Sequence, residues 1–152
     1  EKAQVMIDPL LEGRARAGRS PNLADFDMAP YVRVSSGDDL GKCRDALRPG
    51  LAVYIGGMGA RGRNFYNDLC KRLGYEAAAV AIQDHFLAGR RNEAAAAVPD
   101  SLIDEISLVG PPARIKDRLQ VWKELAADSW VGSLVLAGAD AAAMRVVAEA
   151  VL

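Results

Sequence analysis

Apolar residues recur along the chain in two rhythms, and their alternation lays out the elements. Val5, Met6, Leu10 and Leu11 fall at approximate helical spacing, which predicts a helix from about residue 2 that ends between Gly13 and Gly18. After the polar turn Ser20-Pro21-Asn22, residues 28–35 are rich in β-branched and aromatic side chains and predict a strand, with Pro30 limiting pairing at its start. Asp38 or Asp39 is placed to cap a helix with apolar positions Leu40, Cys43 and Leu47, and Pro49 either interrupts that helix or opens a new piece. The run Leu51-Ala-Val-Tyr-Ile55 is too short for periodicity to separate strand from helix.

Beyond Gly62 the helical rhythm is clear. Phe65, Leu69 and Leu73 share one face before Gly74, and Ala79, Ile82 and Phe86 share another before Gly89. Asn92 is placed to cap an alanine-rich turn from Glu93 to Val98, and Pro99 opens a short turn through Leu102 and Ile103. Residues 106–109 predict a short buried strand ending at Gly110. Pro111-Pro112 then starts an amphipathic helix with Ile115, Leu119, Trp122 and Ala126 inward. Residues 133–137 are continuously apolar, the pattern of a parallel strand covered on both faces. Asp140 caps a last helix with Met144, Val147, Ala148 and Val151 inward. Each well-defined strand is followed by a helix, so the expectation is α/β with a parallel sheet.

Length changes the picture next. The 152 residues, half of them apolar, suffice for one hydrophobic core and fall short of the roughly 250 of a whole α/β barrel. The 19 basic and 20 acidic residues nearly cancel and form no basic stripe, which argues against nucleic acid. No apolar run approaches the roughly 20 residues of a bilayer span. Cys43 and Cys70 stand alone within apparent helices, a usage that fits a reducing, cytoplasmic setting better than a disulfide framework. The first residues read as the middle of a helix, so a truncated or processed chain is expected.

Candidate chemistry is sparse. Gly57-Met-Gly59-Ala-Arg-Gly62 has the spacing of a dinucleotide-binding turn, with glycines that would admit a pyrophosphate at a helix N-terminus. Such a unit needs a second strand after its helix, whereas Gly74 leads into another helix, so a connector between helices is the stronger reading. Arg61 and Arg63 in this loop are possible anion contacts. His85, the sole histidine, lacks a partner nucleophile or ligand cluster and reads as a helix-surface residue. No metal constellation stands out, and the cysteines and tryptophans read as packing residues. Ligands of parallel sheets gather beyond the carboxyl ends of strands, which points to Ser35-Ser36, Val109-Gly110 and Ala137-Gly138.

The succession of segments has a further content. Gly13-Arg-Ala-Arg-Ala-Gly-Arg19, Phe26-Asp-Met-Ala-Pro30, Leu47-Arg-Pro-Gly-Leu-Ala-Val-Tyr-Ile-Gly-Gly-Met-Gly59, Asn64-Phe-Tyr-Asn-Asp68, Arg72-Leu-Gly-Tyr-Glu76, Val98-Pro-Asp100 and Leu108-Val-Gly110 together resemble the second half of actinobacterial luciferase-like oxidoreductases that use coenzyme F-420. The resemblance runs from about residue 2 to the end. It implies a single partial domain, the C-terminal part of a (β/α)8 TIM barrel: the last three strands with their helices, and a helical insertion at about 62–105 near the barrel mouth. It makes Leu51–Ala60 a helix and its exit, which removes the NAD(P)-binding alternative. It implies hydride transfer to or from a small organic substrate, with F-420 (alternatively FMN) held mainly by the missing N-terminal half. This half would supply a pocket wall: Gly57, Met58, Gly59, Asn64, Tyr66, Gly110 and Gly138. No catalytic residue is carried over. Half a barrel exposes raw edges and an apolar face, so pairing with the missing half or self-association is expected, and a non-catalytic assembly remnant is the remaining alternative.

Overall fold

The computed structural model describes residues 2–151. Eight α-helices and three strands follow one another: α1 (Gln4–Arg16), β1 (Tyr31–Ser36), α2 (Leu40–Ala52), α3 (Phe65–Arg72), α4 (Glu76–Leu87), α5 (Arg91–Ala96), α6 (Asp100–Ile106), β2 (Ser107–Gly110), α7 (Pro112–Ala127), β3 (Val135–Ala137) and α8 (Ala141–Val151). A π-helical turn, Val53–Gly57, continues α2 without a break. The strands pair in parallel in the order β2-β1-β3.

The pleat decides which residues each helical layer covers. Val32 and Val34 of β1 share one face with Leu108 of β2, their ladder neighbour, and pack against Ile115 and Leu119 of α7 and Ala143 and Val147 of α8. The residues between them point the other way. Val109, which pairs with Ser35, joins Cys43 and Leu51 of α2 and, through them, Ile82, Ala94, Leu102 and Ile103 of the later helices. The connections β1 to β2 and β2 to β3 run in opposite directions along the sheet. Right-handed crossovers then require helices on both faces, as observed.

Several expectations change here. Consecutive staves of a barrel pair in chain order, whereas β3 lies on the other edge of β1, where Val135, Leu136 and Ala137 satisfy ladder groups that would otherwise face solvent. Coverage of β3 on both faces is not met: it is an edge strand and Val135 is 45% exposed. Leu51–Ile55 is helical, as the resemblance implied. Pro49 sits inside α2 without ending it. Asn92 does not cap: α5 begins at Arg91, so Asn92 lies within it. Ala126, Met144 and Val151, expected inward, are exposed and line an open cleft of about 550 Å³ with Trp122 and Leu136. Helices α3 and α4 pack on the π-turn and α5 and α6 on α2, with α6 also against β2.

Candidate functional site

Two groups of predicted residues occupy opposite ends of the sheet. The first surrounds the π-turn. The last carbonyls of any helix lack intrahelical donors, and here two side-chain amides supply them. Asn64 Nδ2 donates to the Tyr54 and Ile55 carbonyls at 3.1 and 3.0 Å, while its Oδ1 accepts from the backbone N–H of Tyr66 and Asn67 at 3.0 and 3.2 Å and so caps α3. Asn67 Nδ2 donates to the carbonyls of Ile55 (3.0 Å) and Ala79 (2.8 Å). Gln83 Nε2 reaches the Gly59 carbonyl at 3.3 Å. All three amides are buried.

The glycines of this segment make room for the protein itself. A Cβ at Gly57 would overlap the Phe86 ring, and one at Gly59 the Arg63 carbonyl. At these two positions smallness is used up by intramolecular packing, whereas the site of Gly62 is open. Met58 is exposed, and Tyr66 lies edge-on to Tyr54 at 4.8 Å between ring centroids. Arg61 pairs with Asp84. Arg63 is exposed and has no ion-pair partner among the described residues. His85 lies on the surface of α4 beside Arg90 and Glu93, as a helix-surface residue should.

The second group is the carboxyl edge of the sheet. The Gly37 N–H donates to the Gly110 carbonyl at 3.1 Å, which joins the exits of β1 and β2. Gly110 (φ 103°) and Gly138 (φ 76°) adopt left-handed conformations that favour glycine. A Cβ at Gly110 would stand 3.1 Å from Leu40 and 3.0 Å from Arg114; one at Gly138 would stand 3.2 Å from the Val34 carbonyl. Asp39 and Asp140 cap α2 and α8 at this edge. It is also the place where connections leave in opposite directions, between β1 and β3, and such a switch point is where open parallel sheets bind ligands.

These two groups do not form one wall. Leu40 touches the site of Gly110, and from Leu40 the chain runs as unbroken helix to Gly57. At 1.5 Å per residue that separates Gly57 from Gly110 by about 25 Å. Gly110 and Gly138 lie at the carboxyl edge of the sheet; Gly57, Met58, Gly59, Asn64 and Tyr66 lie past the other one.

Two clusters escaped the sequence reading because their members are far apart in the chain. Asp104 on α6 receives Arg44 of α2 (2.5 Å) and Arg114 of α7 (2.9 Å), and Arg118 donates to its backbone carbonyl at 2.9 Å, so one carboxylate ties both helical layers. The Arg44 hydrogen bond, with the nearby Arg114 charge, holds this carboxyl below its usual range despite partial burial. The other cluster centres on Arg33, whose guanidinium lies over Tyr54 and Tyr31. Cys43 and Cys70 are buried and free, and burial pushes the Cys70 thiol up to about 11. Among the described residues no cluster of side chains is arranged to hold a metal ion, and no helix is long and apolar enough to cross a membrane.

A parallel sheet with helices on both faces and glycines at its carboxyl edge is the architecture of ligand-binding α/β proteins. The chain belongs to the luciferase-like monooxygenase family, whose sequence profile matches residues 1–129. It is 35% identical over 112 residues to a Mycobacterium tuberculosis protein assigned by its name to the coenzyme F-420-dependent oxidoreductases; the match covers 74% of this chain and 32% of that protein. Its fold is similar to the coenzyme F-420-dependent tetrahydromethanopterin reductase of Methanopyrus kandleri, with a TM-score of 0.64 and 22% identity over 95% of this chain and 39% of the other. The chain thus spans about a third of the length of these relatives.

Proposed function

We propose that this chain is the C-terminal part of a coenzyme F-420-dependent oxidoreductase that transfers hydride to or from a small organic substrate, and that it supplies the last three strands of a (β/α)8 barrel. The observation that carries the reading is the continuous match to the luciferase-like family along residues 1–129, joined to a relative bearing an F-420-dependent name. The parallel sheet, with Gly37, Gly110 and Gly138 together at its carboxyl edge, supports it.

In a barrel β3 would leave the edge of β1 and pair with β2. Its three residues, bounded by Gly132 and Gly138, are few enough for that exchange. The open cleft lined by Trp122, Met144 and Val151 supports a further stretch of protein covering this apolar face.

F-420, when bound, supplies the hydride-carrying ring carbon. The carboxyl edge fits it as part of a wall. The sites of Gly110 and Gly138 are already crowded by Leu40, Arg114 and the Val34 carbonyl, so this chain by itself forms no closed cradle for a deazaflavin. Its residues would border the ring and exclude water, and the remaining contacts would come from the portion of the relatives that this chain does not span.

Co-expression with a family segment carrying the five preceding strands, followed by titration with F-420 monitored by its fluorescence, tests this. Saturable binding by the assembly and none by the chain alone is the expected result. Absence of F-420 binding by a folded assembly, or saturable NADPH binding by the chain alone, contradicts the proposal.

A further inference from the structure

Arg33 differs from the other half-buried arginines. Arg14, Arg44, Arg48 and Arg114 each meet a carboxylate, and Arg118 meets a backbone carbonyl. The Arg33 guanidinium forms no ion pair or hydrogen bond with any described residue. Its guanidinium lies against Gly50, where an added Cβ would stand 3.4 Å from Nη1, and over two rings, with Cζ 5.2 Å from the Tyr54 centroid and 5.8 Å from that of Tyr31. Ring faces attract the charge but offer no acceptor to the five N–H donors of a guanidinium. A half-buried cation with that many unused donors, framed by flat surfaces, is set up for a flat oxyanion.

The surroundings extend the flat surface. Tyr31, in the first position of β1, is 62% exposed, and its ladder neighbour Val135 is also open. On the other side Tyr54 meets Tyr66 edge-on, and Tyr66 meets Phe65 at 5.5 Å. Tyr31, Phe65 and Tyr66 are exposed, and with the guanidinium between Tyr31 and Tyr54 they form one strip beside Gly50 of α2. Its charge is positive and its walls are aromatic.

We infer that Arg33, Tyr31 and Tyr54 form a binding site for a small aromatic carboxylate. The carboxylate would take the guanidinium fork and the ring would lie along Tyr31. The site faces the amino-terminal part of the sheet, apart from the carboxyl edge where the oxidoreductase reading places its cofactor, and it does not depend on that reading. The two fork hydrogen bonds and the ring contact act together. A carboxylate without a ring, or a ring without a charge, therefore keeps only part of the affinity.

The test is an NMR titration of the 152-residue chain with benzoate, followed at the Arg33 Nε–H and the Tyr31 and Tyr54 ring signals, with benzamide and acetate as controls. Saturable benzoate shifts at these groups are expected, with both controls weaker by about tenfold, a factor that corresponds to one lost interaction of ordinary size. Arg33→Gln should weaken benzoate about tenfold. Arg33→Lys, which keeps the charge, should weaken it several-fold through loss of the fork, about a factor of three or more. Circular dichroism of both variants checks that they fold. Unchanged affinity in either folded variant, saturable shifts that map elsewhere, or acetate binding as tightly as benzoate would overturn the inference.

Discussion

Replacing Asn64 is the sharpest probe of why the Gly57–Asn67 segment has its shape. The side chain is 1% exposed and all of its hydrogen-bonding capacity is used: two carbonyls at the end of the π-turn and two N–H groups at the start of α3. Asn64→Ala removes an N-cap, which costs about 1 kcal/mol. It also strands the part-buried Tyr54 carbonyl, at about 1–3 kcal/mol; the Ile55 carbonyl keeps its bond from Asn67. The sum is about 2–4 kcal/mol. Asn64→Asp separates the two contributions. It keeps the cap acceptor but sets a buried carboxylate against two carbonyls, so at neutral pH it should be at least as damaging as alanine. It should recover as the pH falls and the carboxyl gains a proton to donate. Urea unfolding of the three proteins at pH 7 and pH 5 reads both effects. A loss below about 0.5 kcal/mol for Asn64→Ala, the range of an ordinary surface substitution, would refute the reasoning.

Further outcomes follow from the same geometry. The depressed Asp104 carboxyl stabilises the fold above its ordinary value of about 3.9, and that contribution disappears as the pH falls through the lower folded-state value; Asp104→Asn should therefore cost about 1–3 kcal/mol at pH 7 in chemical denaturation, with the gap to wild type narrowing in acid. A gap independent of pH would contradict it. Cys70, buried and with its thiol raised to about 11, should resist thiol reagents at pH 8 in the native state and react once denaturant opens the fold; fast native labelling would contradict this. Gly59→Ala, which meets the Arg63 backbone, should destabilise by about 1–3 kcal/mol, read as a lowered Tm. A Tyr31→Cys/Val135→Cys pair, placed at ladder neighbours, should form a disulfide in this chain and hinder acquisition of F-420 by the complete assembly, because β3 could then no longer leave β1. Failure of the pair to oxidise would show that β3 is not held there.

Where periodicity and local chemistry agree, the elements were legible: Asp39 and Asp140 cap the helices that follow them, the apolar stripe Ile115 and Leu119 packs inward, and Gly74 and Gly89 end α3 and α4 in left-handed conformations. Strand order was not, because a three-residue strand at a sheet edge has nothing in its own composition that says which neighbour it takes. The Gly57–Gly62 pattern reads as a connector between helices, and it does join the π-turn to α3. Its glycines carry the spacing of a phosphate turn, yet Phe86 demands Gly57, the Arg63 carbonyl demands Gly59, and a left-handed backbone (φ 70°) favours Gly62. Grouping Asn64 and Tyr66 with Gly110 and Gly138 failed on length: an uninterrupted helix from Leu40 to Gly57 carries the first pair to the opposite end of the sheet. Asp104 meets Arg44 from 60 residues away and Arg33 meets Tyr54 from past the far end of α2, and only folding shows those pairings.

Hydrogen exchange of the assembly reconstituted with its preceding strands, with and without F-420, tests the central claim most directly. Slowed exchange at Ser36–Gly37, Gly110 and Gly138 on adding cofactor, with Gly57–Tyr66 unchanged, is the outcome expected of a ligand edge at the strand exits and a purely structural glycine turn. Slowed exchange confined to Gly57–Tyr66 would contradict it.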